Sequence, residues 1–101
     1  MSVTTRLSDD GKTFVIAIDG RFDFNLHQQF RTAYEQVDPR QVQYQIDLQE
    51  TDSVDSSALG MLLLLRERAG GDHSSIDIVN CPTEIRNILT ISNFHQLFKI
   101  R

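Results

Sequence analysis

The chain has 101 residues, with 10 basic and 14 acidic side chains and a formal net charge of −4. This length suits one compact domain, so we expect residues 1–101 to form a single domain. The sequence contains no cluster of basic residues of the kind that binds nucleic acid. Its longest apolar stretch is far shorter than the ~20 residues needed to cross a bilayer. The start has no apolar core of signal-peptide length, and the lone Cys81 fits a reducing compartment. We therefore expect a cytoplasmic protein that binds no nucleic acid and does not insert into membranes.

Two strands and a helix are predicted at the start of the chain. A possible edge strand over residues 3–7 is joined by a hairpin turn at 9–12 to a central strand over 13–19. The central strand has β-branched residues on both of its faces. Residues 25–37 predict a helix with one apolar face, formed by Leu26, Phe30, Ala33, Tyr34 and Val37.

In the middle of the chain, the sequence predicts where the first helix begins and ends, and it predicts another long strand and a second helix. Asn25 is the expected N-cap of the first helix, and Pro39 is expected to terminate the segment. Over residues 42–48 apolar and polar side chains alternate, so we expect one face of this strand to be covered. The second helix begins near Ser56 and is closed by the glycine pair at 70–71.

The last third predicts a short strand at 75–79, a third helix with Pro82 in its first turn, and a final strand within 97–100. The third helix is expected to direct three apolar side chains inward: Ile85, Ile88 and Leu89. The element order is then β-β-α-β-α-β-α-β. This order predicts an α/β fold, with a small, mixed and mostly parallel sheet flanked by helices.

The second helix is apolar nearly all round. At about 100° per residue, its core face is formed by Ala58, Leu62, Leu65 and Ala69, flanked by Leu59 and Met61. An outward stripe consists of Ser56, Gly60, Leu63, Leu64 and Glu67. Exposed leucines are common and the C-terminal residues could cover them, but a partner-binding surface explains the stripe better. Gly60 favours this interpretation, because glycine inside a helix costs ~1 kcal/mol and permits close approach to the backbone.

The residues at the start of this helix fit both a structural and a regulatory role. Asp55 or Ser56 can cap the helix by accepting from its free N–H groups. A phosphoryl group on Ser56 would meet the same donors and the positive end of the helix dipole. It would also place nearly two negative charges beside Leu63 and Leu64. The residues alone do not decide between a cap and a modification site.

Asp23 follows the central strand, as Ser56 follows the next long strand. The carboxyl ends of parallel strands gather at one edge of a sheet, where sites form, so we expect the two residues to share a surface. An Asx turn or a helix cap would explain Asp23 as well.

Enzymatic alternatives are weaker. A serine hydrolase would need a base near Ser56, and the chain offers His27, His73 and His95 but no G-x-S-x-G elbow. Acidic residues at 50, 52 and 55 match no calcium-loop spacing, and no glycine-rich loop cradles a phosphate. We expect no enzyme activity, no metal and no cofactor, so any ATP belongs to a partner.

Residues 55–60, Asp-Ser-Ser-Ala-Leu-Gly, resemble the D-S-S-[GA]-L-G signature of STAS-domain anti-sigma-factor antagonists of the SpoIIAA, RsbV and HsbA type. Residues 20–23, Gly-Arg-Phe-Asp, resemble the G-x-[LF]-D segment of that family, and the strand spacing and the final Leu-Phe-Lys-Ile are also similar. The resemblance covers nearly the whole chain. Ala58 replaces the commoner glycine, and the family's usual final helix does not follow residue 101. We therefore expect more of the sheet or the second helix to be uncovered.

The resemblance implies a STAS fold and a phosphorylation switch. In the family, a kinase phosphorylates the serine that matches Ser56, and a PP2C-type phosphatase resets it. The unphosphorylated form binds an anti-sigma factor and the phosphorylated form does not. A flagellar anti-sigma factor is one candidate for this partner. The expected partner surface consists of Asp23, Asn25, Asp55, Ser57, Gly60, Leu63, Leu64 and Glu67. The alternative is a small STAS subunit of a lipid or anion transporter, although such subunits often lack the phosphorylatable serine.

Overall fold

A computed structural model describes residues 2–101, in which six strands form one sheet. The strands are β1 (Ser2–Leu7), β2 (Thr13–Phe22), β3 (Gln43–Asp47), β4 (Thr51–Val54), β5 (Ile76–Val79) and β6 (Lys99–Ile100). The α-helices are α1 (His27–Tyr34), α2 (Ser56–Arg68) and α3 (Thr83–Ile91), and short 3-10 turns lie at Phe24–Leu26, Gly71–His73 and Phe94–Gln96. Within these described residues, every helix is too short or too polar to cross a bilayer.

The sheet is mixed and mostly parallel, as the sequence predicts. The strand order is β1-β2-β3-β5-β6, with β4 beside the last three residues of β2. Only β1 runs antiparallel to its neighbour, because a tight hairpin joins it to β2. In that turn the Ser8 hydroxyl donates to the Asp10 carboxylate at 2.6 Å, and Gly11 adopts a φ of +73°. The hairpin expected at residues 9–12 is therefore confirmed.

The sequence prediction missed β4. Strand β2 extends three residues beyond the predicted end, and its last residues pair in parallel with β4 across a bulge after Gly20. The Thr51 hydroxyl is buried and donates to the Ile18 carbonyl at 2.8 Å, which fixes β4 against β2. The observed order is therefore β-β-α-β-β-α-β-α-β, with one strand more than predicted.

All three helices cover the same face of the sheet and share one core. The sheet contributes side chains that include Phe14, Ile16, Ile18, Tyr44, Ile46 and Ile78. From α2 the buried residues are Ala58, Met61, Leu62 and Leu65, so the predicted core face of this helix is confirmed. Gly70 follows α2 with a φ of +113°, which confirms the predicted glycine closure.

Three details of the helix predictions are wrong. Asn25 is not an N-cap: it lies inside the 3-10 turn before α1, and its N–H donates to the Asp23 carboxylate. Helix α1 ends at Tyr34, well before Pro39, because the chain turns there towards β3. Ile88 is 39% exposed, since only Ile85 and Leu89 of α3 reach the core.

Candidate functional site

Two acidic residues leave the sheet side by side at the carboxyl ends of β2 and β4. Phe22 pairs in parallel with Val54, and Asp23 and Asp55 follow these two residues directly. Parallel neighbours lie about 4.8 Å apart, so the two chain segments leave the sheet together. The structure thus brings Asp23 to the same sheet edge as the start of α2.

Each of the two carboxylates organises the segment that follows it. The Asp23 Oδ1 atom accepts from the Asn25 N–H at 2.9 Å, and the Asp23 carbonyl accepts from the Leu26 N–H at 3.0 Å. These bonds start the 3-10 turn that leads into α1, as a helix cap would. Asp23 therefore has a structural role. It is only half-buried, so part of its surface is also open to a partner.

Asp55 is the N-cap of α2. Its Oδ1 atom accepts from the Ala58 N–H at 3.0 Å and from the Ser57 hydroxyl at 2.6 Å. The hydrogen bond from Ser57, and then that from the Ala58 N–H, lower the pKa of Asp55 below its ordinary value, because both stabilise the ionised form. The sequence left open whether Asp55 or Ser56 caps the helix, and in the structure Asp55 does so.

Ser56 is the first residue of α2 and is exposed. Within residues 2–101 its hydroxyl has no hydrogen-bond partner, whereas the Ser57 hydroxyl is held by Asp55. The first-turn N–H groups of a helix lack intrahelical partners and carry a partial positive charge. A phosphoryl group on Ser56 would therefore be electrostatically tolerated at this position.

The outward stripe predicted for α2 is exposed along its whole length, from Ser56 through Gly60 to Glu67. Leu63 is 39% exposed and Leu64 is 55% exposed. A Cβ atom added at Gly60 would meet nothing within 4 Å, so nothing inside the described chain requires glycine there.

Two side chains that the sequence did not assign to the partner surface, Phe24 and His27, extend this surface towards α1. Phe24 is 67% exposed, and its ring stacks on that of His27 with centroids 5.1 Å apart. A groove of about 380 Å³ runs between α1 and α2, and it is lined by His27, Arg31, Tyr34, Glu35, Leu64 and Arg68. The helical periodicity of α2 predicts that Leu64 points outward, but it does not predict which helix lies beside it. The groove could have been predicted only by assuming that α1 packs against α2.

The alternatives to a binding surface find little support in the geometry. His73 and His95 lie in 3-10 turns that follow α2 and α3, and His27 is stacked on Phe24. Among residues 2–101, no three His, Cys, Asp or Glu side chains are arranged to hold a metal ion. Burial raises the pKa of the Cys81 thiol, so the reactive thiolate is disfavoured.

The family model described as "Mlab, STAS domain" matches residues 5–100. The chain belongs to the STAS-domain family. A relative from Pseudomonas aeruginosa (strain UCBPP-PA14), described as a STAS-domain containing protein, is 54% identical over 100 residues, and the match covers 99% of both chains.

Solved structures confirm the STAS fold. The unphosphorylated anti-sigma factor antagonist SpoIIAA is 16% identical with a TM-score of 0.74, over 99% of this chain and 87% of that one. An anti-sigma factor antagonist from Mycobacterium paratuberculosis is 20% identical with a TM-score of 0.74, over 98% and 85%. A sulfate transporter family protein from Wolinella succinogenes is 11% identical with a TM-score of 0.71, over 88% and 77%. The STAS fold is thus common to antagonist and transporter proteins.

Proposed function

We propose that this STAS domain is an anti-sigma-factor antagonist controlled by phosphorylation of Ser56. The unphosphorylated form binds and sequesters an anti-sigma factor, and the phosphorylated form releases it. The observation that carries the proposal is the exposed, unbonded Ser56 hydroxyl at the end of an exposed apolar stripe on α2. In this scheme the chain is not an enzyme and needs no cofactor. A serine kinase and a PP2C-type phosphatase act on it in the cytoplasm.

The contacts of the two adjacent serines support Ser56 as the modified residue. The Ser57 hydroxyl donates to Asp55 at 2.6 Å, so phosphorylation there would break this bond and place a dianion against a carboxylate. The Ser56 hydroxyl makes no such bond, so its phosphorylation leaves the contact between Ser57 and Asp55 in place. Ser57 and Asp55 then belong to the site because they hold the first turn of α2 in shape.

The burial of α2 supports release of the partner without refolding. Ala58, Leu62 and Leu65 are fully buried on the core face, and Asp55 caps the helix without involving the Ser56 hydroxyl. An apolar side chain buried at an interface is worth ~1.5–3 kcal/mol, whereas an unpaired phosphate driven into it costs several kcal/mol. The phosphate therefore outweighs the contacts of Leu63 or Leu64.

Variants at the two serines test the proposal. Ser56→Ala should keep partner binding, and Ser56→Asp should weaken it at least about tenfold, or ~1.4 kcal/mol. Ser57→Ala distinguishes the two serines, because it removes the neighbouring hydroxyl with its bond to Asp55, and the phosphate should still be found on residue 56. Phosphopeptide mapping of the protein purified from cells locates the phosphate, and titration calorimetry against the captured anti-sigma factor gives the affinities. Phosphate on Ser57 with Ser56 bare, or normal binding by the phosphoprotein, would disprove the switch.

The remaining partner surface is proposed to include Asp23, Asn25, Gly60 and Glu67, which are exposed or half-buried around Ser56. Asp23→Ala should impair phosphorylation or binding, beyond any loss of thermal stability from its bond to the Asn25 N–H. Asp23→Asn, which keeps an acceptor for that bond, separates the two effects. Normal activity of the folded Asp23→Ala protein would leave Asp23 with a structural role only.

The fold shared with a sulfate transporter family protein favours one second candidate, a STAS subunit of a transporter. The two functions predict different companions in affinity purification from cells. An antagonist should retain an anti-sigma factor and its kinase, whereas a transporter subunit should retain a transporter ATPase or permease and carry no phosphate on Ser56.

A further inference from the structure

Exposed apolar side chains flank α2 on two sides. On the α1 side, Phe24 and Leu64 are 67% and 55% exposed. Leu63 is exposed on α2 itself, and Ile88, Ile91 and Leu97 are exposed on α3 or in the turn that follows it. The α1 side borders a groove between two helices, and the shape and charge of this groove indicate the kind of partner that would bind there.

The α1 side is concave. The groove between α1 and α2 encloses about 380 Å³, with the side chains of Tyr34 and Leu64 in its lining. Phe24 stacks on His27, which lines the groove, and so extends the apolar surface towards the carboxyl end of β2. An open groove between two helices, with exposed apolar side chains beside charged ones, suits a third helix that is itself amphipathic.

The groove is locally cationic on an acidic protein. The whole chain carries a formal charge of −4, but the groove is lined by two arginines, Arg31 and Arg68, against a single carboxylate, Glu35. Arg68 has no ion-pair partner in the part of the chain that the structure describes. Its guanidinium donates to the Val37 carbonyl at 3.1 Å and lies 5.9 Å from the centroid of the Tyr34 ring.

Arg31 can also accept a new partner. It pairs with Glu35 at 3.2 Å, but the side chains are 59% and 46% exposed, so the pair contributes little and exchanges readily. Positive charge beside exposed apolar side chains complements a segment that is acidic and apolar on adjacent faces.

We infer that the groove binds an amphipathic helix with an acidic flank, contributed by the anti-sigma factor. Its apolar face contacts Phe24 and Leu64, and its acidic residues lie against Arg31 and Arg68. This inference rests on the proposed function and specifies the partner segment. It also accounts for the sign of the switch, because a phosphate on Ser56 adds negative charge beside a negatively charged partner.

Site-specific photo-cross-linking tests which side of α2 is occupied. The full-length chain is produced in cells with p-benzoylphenylalanine in place of Phe24, Leu64 or, as the control, Ile91, which is 82% exposed on α3. We expect positions 24 and 64 to cross-link to one protein, at a segment with net negative charge and apolar residues repeating every three or four positions. Cross-links only from position 91, no cross-link from 24 and 64, or a neutral or basic captured segment would each overturn the inference.

Charge reversal tests the electrostatic part. Arg31→Glu in the groove and Arg86→Glu on α3 change the net charge equally, and both arginines are exposed. Binding of the captured segment, made as a synthetic peptide, should weaken about three- to fivefold with Arg31→Glu and less than twofold with Arg86→Glu. Raising the salt concentration should reduce the difference between the two variants. Equal losses for both variants would contradict an acidic contact in the groove.

Phosphate mapping on the same cells keeps the two proposals apart. Cross-links from positions 24 and 64 on protein that never carries phosphate at Ser56 would reject the switch and retain the groove. Phosphate at Ser56 with no cross-link from the groove would retain the switch and reject the acidic helix.

Discussion

Gly60 lies inside α2 without any steric reason to be glycine, so its replacement by alanine should stabilise the protein. It is exposed, and an added Cβ atom meets nothing within 4 Å. Glycine in a helix interior costs ~1 kcal/mol relative to alanine, and no clash offsets this gain. Gly60→Ala should therefore raise the free energy of unfolding by about 1 kcal/mol. For a domain of this size, that corresponds to a rise in Tm of about 4–8 °C.

Urea and thermal unfolding followed by circular dichroism measure this effect. Gly70→Ala is the matched control, because Gly70 has a φ of +113°, where alanine is strained by roughly 1–2 kcal/mol, so the same change should lower stability. The two substitutions must therefore act with opposite signs. A Gly60→Ala protein that is no more stable than the wild type would refute the reasoning. If a partner approaches the backbone closely at this position, the stabilised variant should also bind it more weakly.

Three further outcomes are expected from the core and the cap. Thr51→Val should lower the free energy of unfolding by ~1–3 kcal/mol in urea titration, because the buried Ile18 carbonyl loses its 2.8 Å donor. Leu62→Ala should cost ~2–5 kcal/mol, whereas Leu63→Ala on the exposed side should stay within ~0.5 kcal/mol, and equal losses would contradict the assigned faces. The pKa of Asp55 is lowered on folding, so its carboxylate stabilises the fold above pH 3.8 and progressively less as the pH falls below that value. Asp55→Asn should therefore reduce Tm more at pH 6 than at pH 3, and an equal reduction at both would count against the cap.

Hydrophobic periodicity was enough to predict most of the fold, because most elements bury a regular set of side chains. The two faces of α2 follow from a 3.6-residue period, and β2 from its β-branched residues. Strand β4 lacks such a signal, since Thr51–Val54 is short and two of its residues are exposed and polar. It is a strand because the last residues of β2 extend beyond β3 and pair with it, which is a property of the sheet.

The candidate site was predictable only where it depends on one element. Ser56 and the stripe on α2 could be placed from the sequence, because they belong to one helix. The groove could not, since His27 and Arg31 reach it through the packing of α1 beside α2. Local capping was also ambiguous, because an aspartate and an asparagine two residues apart are both good N-caps. In the structure Asp23 caps the 3-10 turn before α1, because its carboxylate accepts from the Asn25 N–H, and α1 itself follows Leu26 without a side-chain cap.

Stability and recognition are separable along α2, and this separation bears on the proposed switch. The fully buried Leu62 and Leu65 hold the helix on the sheet, while the exposed stripe makes little contact with the core. Changes on the stripe, a phosphate included, should therefore leave the fold intact and act on whatever contacts the helix from outside. Gly60 supports this view independently of any family resemblance. Gly60 costs stability and nothing inside the described chain requires it, so we propose that a contact made outside the chain accounts for it.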